Sequence, residues 1–279
     1  MKTHGVQGPA APAGSRGGAP AGPGRSPGGS VCVIGLGPGD PRYLTPAAAA
    51  ALAEAEDLIG YAPYVARVPE RPGLTRHASD NRVEVERARH ALELAAQGRR
   101  VAVVSGGDPG VFAMAAALFE ALEHGDPAWR SLAITVEPGI TAMLAAAARV
   151  GAPLGGDFCA LSLSDNLKPW EVITARLEAV LRADLVIALY NPISQARPWQ
   201  LGAALGLAAE HRAPDTPVIL ARAIGRPDEA VRILPLAEAR EAPADMATLV
   251  IIGASATRLV EREGAPPFVY TPRRVEAAR

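Results

Sequence analysis

Lysine is almost missing from this 279-residue chain: Lys2 and Lys168 stand alone among 28 basic residues. Aromatic residues make up only 4% and cysteine occurs twice, at Cys32 and Cys159. The formal net charge is −1. Each shortage excludes something. A near-neutral chain with few rings has neither the basic footprint nor the stacking surface of a nucleic-acid binder. Two distant cysteines, each inside an apolar run, read as buried free thiols rather than a disulfide or metal site. The histidines (His4, His77, His90, His124 and His211) show no HExxH or other ligand spacing, so no metal is expected. No stretch reaches the roughly 18 unbroken apolar residues of a membrane span. No period of about 20–50 residues recurs, which removes solenoids and propellers. The excess of arginine over lysine reads as a GC-rich genome rather than as chemistry.

What is abundant is alanine, 57 residues, so close packing on small side chains must form much of the core. Gly, Pro and Ala fill 19 of the first 30 positions, with no apolar run and no periodicity. Such a stretch cannot bury enough surface to offset the entropy of ordering it, and it lacks the apolar core of a signal peptide. It reads as a disordered leader over residues 1–30. The remaining 249 residues fit two domains at about 150 residues each.

Short apolar runs alternate with Ala/Leu-rich helical stretches, the pattern of parallel α/β layers. Strands are expected at Val31–Gly35, Asp57–Tyr61, Val101–Ser105 and Leu132–Val136. Helices are expected near Pro46–Glu56, Val83–Gln97, Val111–His124 and Thr141–Arg149. Thr45 offers an N-cap hydroxyl before Pro46 at N1, while Gly98 and Gly125 sit where a left-handed residue ends a helix. The theme repeats with strands near Phe158–Ser162, Leu185–Tyr190, Val218–Ala221, Ala230–Leu234 and Thr248–Ile252. Helices near Pro169–Arg182 and Pro198–His211 accompany them. Pro138-Gly139 is the expected boundary, with domains over 31–138 and 139–274.

Chemistry concentrates at strand exits. The loop Gly35-Leu36-Gly37-Pro38-Gly39-Asp40-Pro41 follows the first strand, but its glycines fall as GxGxG rather than GxGxxG. Pro38 and Pro41 each remove an N–H donor, and the next helix starts only near Thr45-Pro46. A pyrophosphate would lose its helix N-terminus, which argues against a dinucleotide site. No GxxxxGK[ST] is present, so a P-loop is excluded. A second loop, Ser105-Gly106-Gly107-Asp108-Pro109-Gly110-Val111, also leaves a strand ahead of a helix. Two such loops after separate strands of one sheet would share one crevice outside the strand ends. They supply backbone groups and two carboxylates, Asp40 and Asp108, a lining for an uncharged or locally cationic ligand. Polar turns at Glu137-Pro138-Gly139-Ile140-Thr141-Ala142 and Tyr190-Asn191-Pro192 end two further strands.

These four motifs, in this order and spacing, resemble the tetrapyrrole methylase family, S-adenosylmethionine-dependent enzymes with two α/β domains. The resemblance runs from Val31 to about Arg274. Tyr64, the Asp157–Asp165 stretch, Pro169-Trp170-Glu171, Ile193-Ser194, Arg197–Gln200 and Tyr270-Thr271-Pro272-Arg273 resemble the branch that methylates C17 of precorrin-3B, with ring contraction, on the way to cobalamin. Two turns depart from the family pattern, at Arg222-Ala223-Ile224-Gly225-Arg226 and Gly253-Ala254-Ser255, each lacking an Asn.

The resemblance implies S-adenosylmethionine folded in a cleft between the domains. It would be held by Pro38, Gly106, Gly107, Asp108, Val111, Thr141, Ala142, Asn191 and Ala223. It also implies a cytoplasmic homodimer with a small-molecule tetrapyrrole substrate, and no nucleic-acid or membrane partner. Asp40 is the leading candidate for contact with the reacting macrocycle, with Tyr190, Tyr43 and Ser105 as further acid/base candidates. A polycarboxylate substrate calls for cations. Arg42, Arg76 and Arg197 are the expected clamps, drawn from an arginine-rich stretch (67, 71, 76, 82, 87 and 89) and from the loops. Competing readings are methylation of another tetrapyrrole carbon (C11 or uroporphyrinogen III type), an RNA 2′-O-methylase, an NAD(P)-dependent oxidoreductase, or a non-catalytic nucleotide-binding module.

Overall fold

The computed structural model describes residues 28–80 and 83–274, so nearly all of the expected leader, and Arg82, lie outside the described residues. Ser30, assigned above to the leader, already opens the first strand. The first half runs β1 (Ser30–Gly35), α1 (Pro46–Glu54), β2 (Asp57–Tyr61), α2 (Ala62–Val65), β3 (Thr75–Ser79), α3 (Glu84–Ala96), β4 (Arg100–Ser105), α4 (Met114–His124) and β5 (Ala133–Glu137). Its strands form one all-parallel sheet in the order β3-β2-β4-β1-β5.

Both faces of that sheet are covered, as expected when strands read as continuous apolar runs. Val31, Val33, Val101 and Val103 meet Ala88, Ala91, Leu92, Ala95, Leu118 and Ala121 of α3 and α4. On the opposite face Ile34, Leu58, Ala102 and Val104 pack with Ala48 of α1 and Val65 of α2. Alanine at the helix contacts lets backbones approach closely, which is how an aromatic-poor chain fills its core. The Thr45 hydroxyl accepts from the Ala48 N–H at 3.1 Å, with Pro46 at the first helical position. Gly98 is left-handed at φ 87°, ending α3 as expected. Gly125 is not: its φ is −96°, and an added methyl would lie 2.3 Å from the Trp129 ring. Helix α4 begins at Met114 rather than Val111, because Phe112 turns left-handed at φ 52°.

The second half runs α5 (Ala142–Val150), β6 (Gly151–Ala152), β7 (Phe158–Ser162), α6 (Trp170–Arg182), β8 (Val186–Tyr190), α7 (Gln200–Ala209), β9 (Pro217–Arg222), β10 (Ala230–Pro235), α8 (Leu236–Ala239), β11 (Thr248–Ile252), β12 (Arg258–Arg262) and β13 (Ala265–Tyr270). Here the expected parallel layering fails. In the order β10-β9-β11-β8-β7 only β7 and β8 are parallel; β9 pairs antiparallel with β10 and β11, and β11 with β8. The link from β9 to β10 is a short turn without a crossover helix, so antiparallel return is forced. Leu177, Leu181, Leu201 and Leu205 of α6 and α7 cover one face; Met143, Ala146 and Val150 of α5 cover the other. Strands β6, β12 and β13 form a separate small sheet. Among the described residues no helix is long and apolar enough to cross a membrane.

The halves meet through backbone. Gly37 and Gly107 exchange N–H···O=C bonds of 3.1 and 2.9 Å, tying the first glycine loop to the second. Gly139 wedges against that bridge: an added methyl would lie 2.2 Å from the Gly107 carbonyl oxygen and 2.9 Å from Gly35. Across the interface, a methyl on Gly39 would lie 2.3 Å from the Gly225 carbonyl oxygen. Glu229 accepts from the Gly225 N–H at 2.7 Å and pairs with Arg149, whose guanidinium lies 5.7 Å from the Tyr43 ring centre. The Arg149 hydrogen bond holds the Glu229 carboxyl below its ordinary range.

Gly139→Ala has no room to relax at this junction. It should lower unfolding free energy by about 1–3 kcal/mol, the usual range for overpacking, as read from urea denaturation. Wild-type stability would show that the backbones can move apart freely.

Candidate functional site

Five exits converge on one cleft: the loops after β1, β4 and β5, the end of β8 and the turn after β9. Asp108 is fixed by the second loop. Its carboxylate accepts from the Gly110 N–H at 2.8 Å and, across the loops, from the Gly139 N–H at 3.0 Å. Spare lone pairs remain on both oxygens. Gly107, left-handed at φ 69°, faces Thr141 and Ala142, whose backbone lies 3.6–3.8 Å from where a side chain would begin. Gly106 has a different job: the Tyr64 ring occupies its side-chain space at 2.7 Å. Pro38 is buried, its ring 3.2 Å from the side-chain position of Gly225.

Tyr190 couples the halves. Its hydroxyl lies 2.5 Å from Thr141 Oγ1 and accepts from the Met143 N–H at 3.1 Å. Thr141 is the N-cap of α5 but makes no capping bond itself, so a phenol from β8 satisfies a free helix donor instead. Burial pushes the Tyr190 phenol up, against the lowering effect of those two hydrogen bonds, so it stays protonated at neutral pH. Phe112, half exposed, packs its ring 5.2 Å from the Tyr190 ring. Asn191 is left-handed at φ 51°; its side-chain amide donates to Ser162 Oγ at 3.0 Å. Ala223 shares that φ, with its N–H given to the Ala247 carbonyl at 2.9 Å. Thus three of the four non-glycine residues with positive φ among the described residues (Phe112, Asn191 and Ala223) sit at this cleft. Such conformations cost of order 1–3 kcal/mol each and collect where a site is pre-shaped.

All nine expected cofactor residues therefore lie in the converging loops, with Val111 between Asp108 and Phe112. The expected acids and cations fare differently. Asp40 accepts from the Arg42 backbone and side chain at 2.8 and 3.0 Å, capping the turn Pro41–Tyr43. Arg42 holds the Asp40 carboxyl below the usual range, so the pair is an ionised rim contact rather than a proton donor. Ser105 is buried beneath the loop, its carbonyl accepting from Leu36 at 2.9 Å. Arg76 is no clamp: its guanidinium is engaged by the Val65 and Val68 carbonyls and by Glu70. Nor is Arg197, which is buried and donates to the carbonyls of Asn191 and Leu163 at 3.2 and 3.4 Å. Arg76 braces the C-terminal end of α2 and Arg197 the exits of β7 and β8, because carbonyls left without partners where an element ends are the nearest acceptors for a guanidinium.

Arg67 was grouped with the possible clamps, yet it donates to the carbonyls of Leu36, Gly37 and Gly39 at 2.6, 3.0 and 3.2 Å, gripping the first loop from below. Nothing local in the sequence signals that. Asp57 opens β2 and binds Arg99 and His77 at 2.7 and 2.9 Å, at the wrong end of the sheet for a ribose. Cys32 and Cys159 are free and half-buried, and burial raises both thiols. Among the described residues no three His, Cys, Asp or Glu side chains gather as a metal site.

Comparison with known proteins fixes the family. Residues 30–240 match the Tetrapyrrole (Corrin/Porphyrin) Methylases. The chain belongs to the tetrapyrrole methylase family. A Precorrin-3B C(17)-methyltransferase from Sinorhizobium sp is 58% identical over 241 residues, covering 86% of this chain and 95% of that protein. A probable cobalt-factor III C(17)-methyltransferase from Salmonella typhimurium is 38% identical over 86% of this chain and 98% of its own. The solved structure of the methyltransferase CobJ superposes with a TM-score of 0.81 at 54% identity, covering 88% of this chain and all of that one (100%).

The cap supplied by Tyr190 is testable by a double-mutant cycle. Tyr190→Phe and Thr141→Val should each cost about 0.5–1.5 kcal/mol, and the double variant less than their sum. Strict additivity in urea denaturation would mean that the two hydroxyls do not act as a pair.

Proposed function

We propose that this protein is an S-adenosylmethionine-dependent C-methyltransferase that methylates C17 of precorrin-3B and contracts the ring to precorrin-4 in cobalamin biosynthesis. The observation that carries the reading is the 58% identity to a precorrin-3B C17 enzyme across 95% of its length, with the glycine loops joined into one cleft floor. The lower identity to the cobalt-factor III relative, 38%, favours a metal-free substrate over a cobalt-loaded one.

The lining fits the cofactor. Apolar surface from Val111, Ala142 and Phe112 suits an adenosine, and Asp108 is a carboxylate with acceptor capacity left, suited to a ribose or a local positive charge. Pro38, Gly106, Gly107, Thr141, Asn191 and Ala223 would complete the cradle, mostly through backbone. When bound, S-adenosylmethionine supplies a methyl group already activated by its sulfonium. The chain's residues then have to align and exclude water rather than create a nucleophile. Alignment of two reactants is worth up to about 7–11 kcal/mol in well-oriented systems. Tyr190 holds its proton and fixes the α5 terminus, so it positions Thr141 and Ala142. Asp40, ionised beside Arg42 at the rim, would on this reading be the residue that meets the macrocycle. On this reading residues 31–138 and 139–274 are two lobes divided at Pro138-Gly139, and the enzyme works as a cytoplasmic homodimer.

Incubation with methyl-labelled S-adenosylmethionine and precorrin-3B tests the proposal. The expected product carries the label at C17, with S-adenosylhomocysteine released in equal amount. Label at another ring carbon, or no transfer with both reactants present, would overturn it.

A further inference from the structure

With Arg76 and Arg197 engaged by backbone and Arg42 paired to Asp40, the anionic side chains of a polycarboxylate still need cations. A cavity of about 100 Å³ opens where β7 ends and α6 begins, lined by Phe112, Leu161, Ser162, Lys168 and Arg176 among others. It adjoins the candidate site directly: Phe112 packs on Tyr190, and Ser162 Oγ accepts from Asn191. Lys168 is the only lysine beyond residue 2. It precedes the Pro169 N-cap of α6, and Arg176 lies two turns into that helix. Neither side chain has a carboxylate partner or a hydrogen bond among the described residues. Burial, and after it the like charge of Arg176, lowers the Lys168 pKa.

Half-buried Lys168 and exposed Arg176 line one partly open space that contains no acid, so an anion entering it meets two cations and no opposing charge. We infer that Lys168 and Arg176 bind one side-chain carboxylate of the macrocycle and so set which ring carbon faces the methyl donor. This rests on the proposed substrate class. The geometry suits a carboxylate: a planar guanidinium and a mobile ammonium can each take one oxygen. Phe112 and Leu161 supply apolar surface beside them for the attached ring.

The test uses Lys168→Ala, Arg176→Ala, the double variant and Lys168→Arg. With precorrin-3B, each alanine variant should raise KM about tenfold, the loss of one charge-assisted hydrogen bond, while S-adenosylhomocysteine affinity stays within about twofold. Lys168→Arg should restore most of the KM. A double variant with unchanged KM overturns the assignment, and so does one that loses the cofactor equally, since that reads as damage to the fold. A second arm needs no turnover: fluorescence titration with uroporphyrin III and with its octamethyl ester. The wild-type protein should prefer the acid, and the double variant should lose that preference. If the preference is lost while precorrin-3B is never methylated, the carboxylate site stands and the proposed reaction falls. If acid and ester bind the wild-type protein alike, the carboxylate site falls.

Discussion

Two hydrogen bonds between Gly37 and Gly107 determine how everything else at the cleft is arranged. They fix the exits of β1 and β4, which are neighbours in the first sheet, as one rigid floor. Gly139 closes on that floor so tightly that no side chain can be accommodated, and its N–H is held by Asp108. The loop after β5 is thereby locked to the loop after β4. Thr141 and Ala142 follow directly, at the start of a helix that belongs to the core of the second half. A backbone contact in one half thus sets where the second half begins.

The other devices at the interface reinforce the same joint. Arg67 collects three carbonyls of the first loop, Glu229 holds the Gly225 N–H against Gly39, and the Tyr190 phenol caps α5 from β8. Each replaces a water-exposed backbone group with a protein partner in a region where irregular chain is buried. This is also why most of the buried arginines here are structural. A guanidinium with five donors is the efficient way to satisfy several carbonyls at strand and helix ends at once. Arginine-rich sequence near a polycarboxylate site is therefore a poor guide to which arginines meet the substrate.

The first half of the fold was legible because its strands are apolar on both faces and its helices carry period and caps. Val31–Gly35, Asp57–Tyr61 and Thr45-Pro46 stand where pattern and cap chemistry place them. Strand β3, Thr-Arg-His-Ala-Ser, escaped because an edge strand rich in polar side chains has no apolar pattern to show. The antiparallel pairing of β9, β10 and β11 escaped because periodicity is blind to strand direction; only the β9–β10 return is encoded, by the brevity of the Gly225 turn. At the cleft, the glycine motifs pointed to the right loops, since glycine is required where backbones touch. The engagements of Arg67, Arg76 and Arg197 were not legible because their partners are backbone carbonyls that no spacing reveals. Lys168 was visible as a rarity, but its surroundings, a cavity without an acid, exist only in three dimensions.

The dependence of the cleft on its glycine floor is tested most directly by titrating S-adenosylhomocysteine calorimetrically into Gly107→Ala. Space for a methyl exists there, 3.6 Å from Thr141, but it points to where Thr141 and Ala142 face the proposed ligand, at a left-handed φ of 69°. The folded state should survive with a loss of about 1–2 kcal/mol, while affinity falls by about tenfold or more. Wild-type affinity in a folded Gly107→Ala protein would contradict the proposal that this floor carries the cofactor.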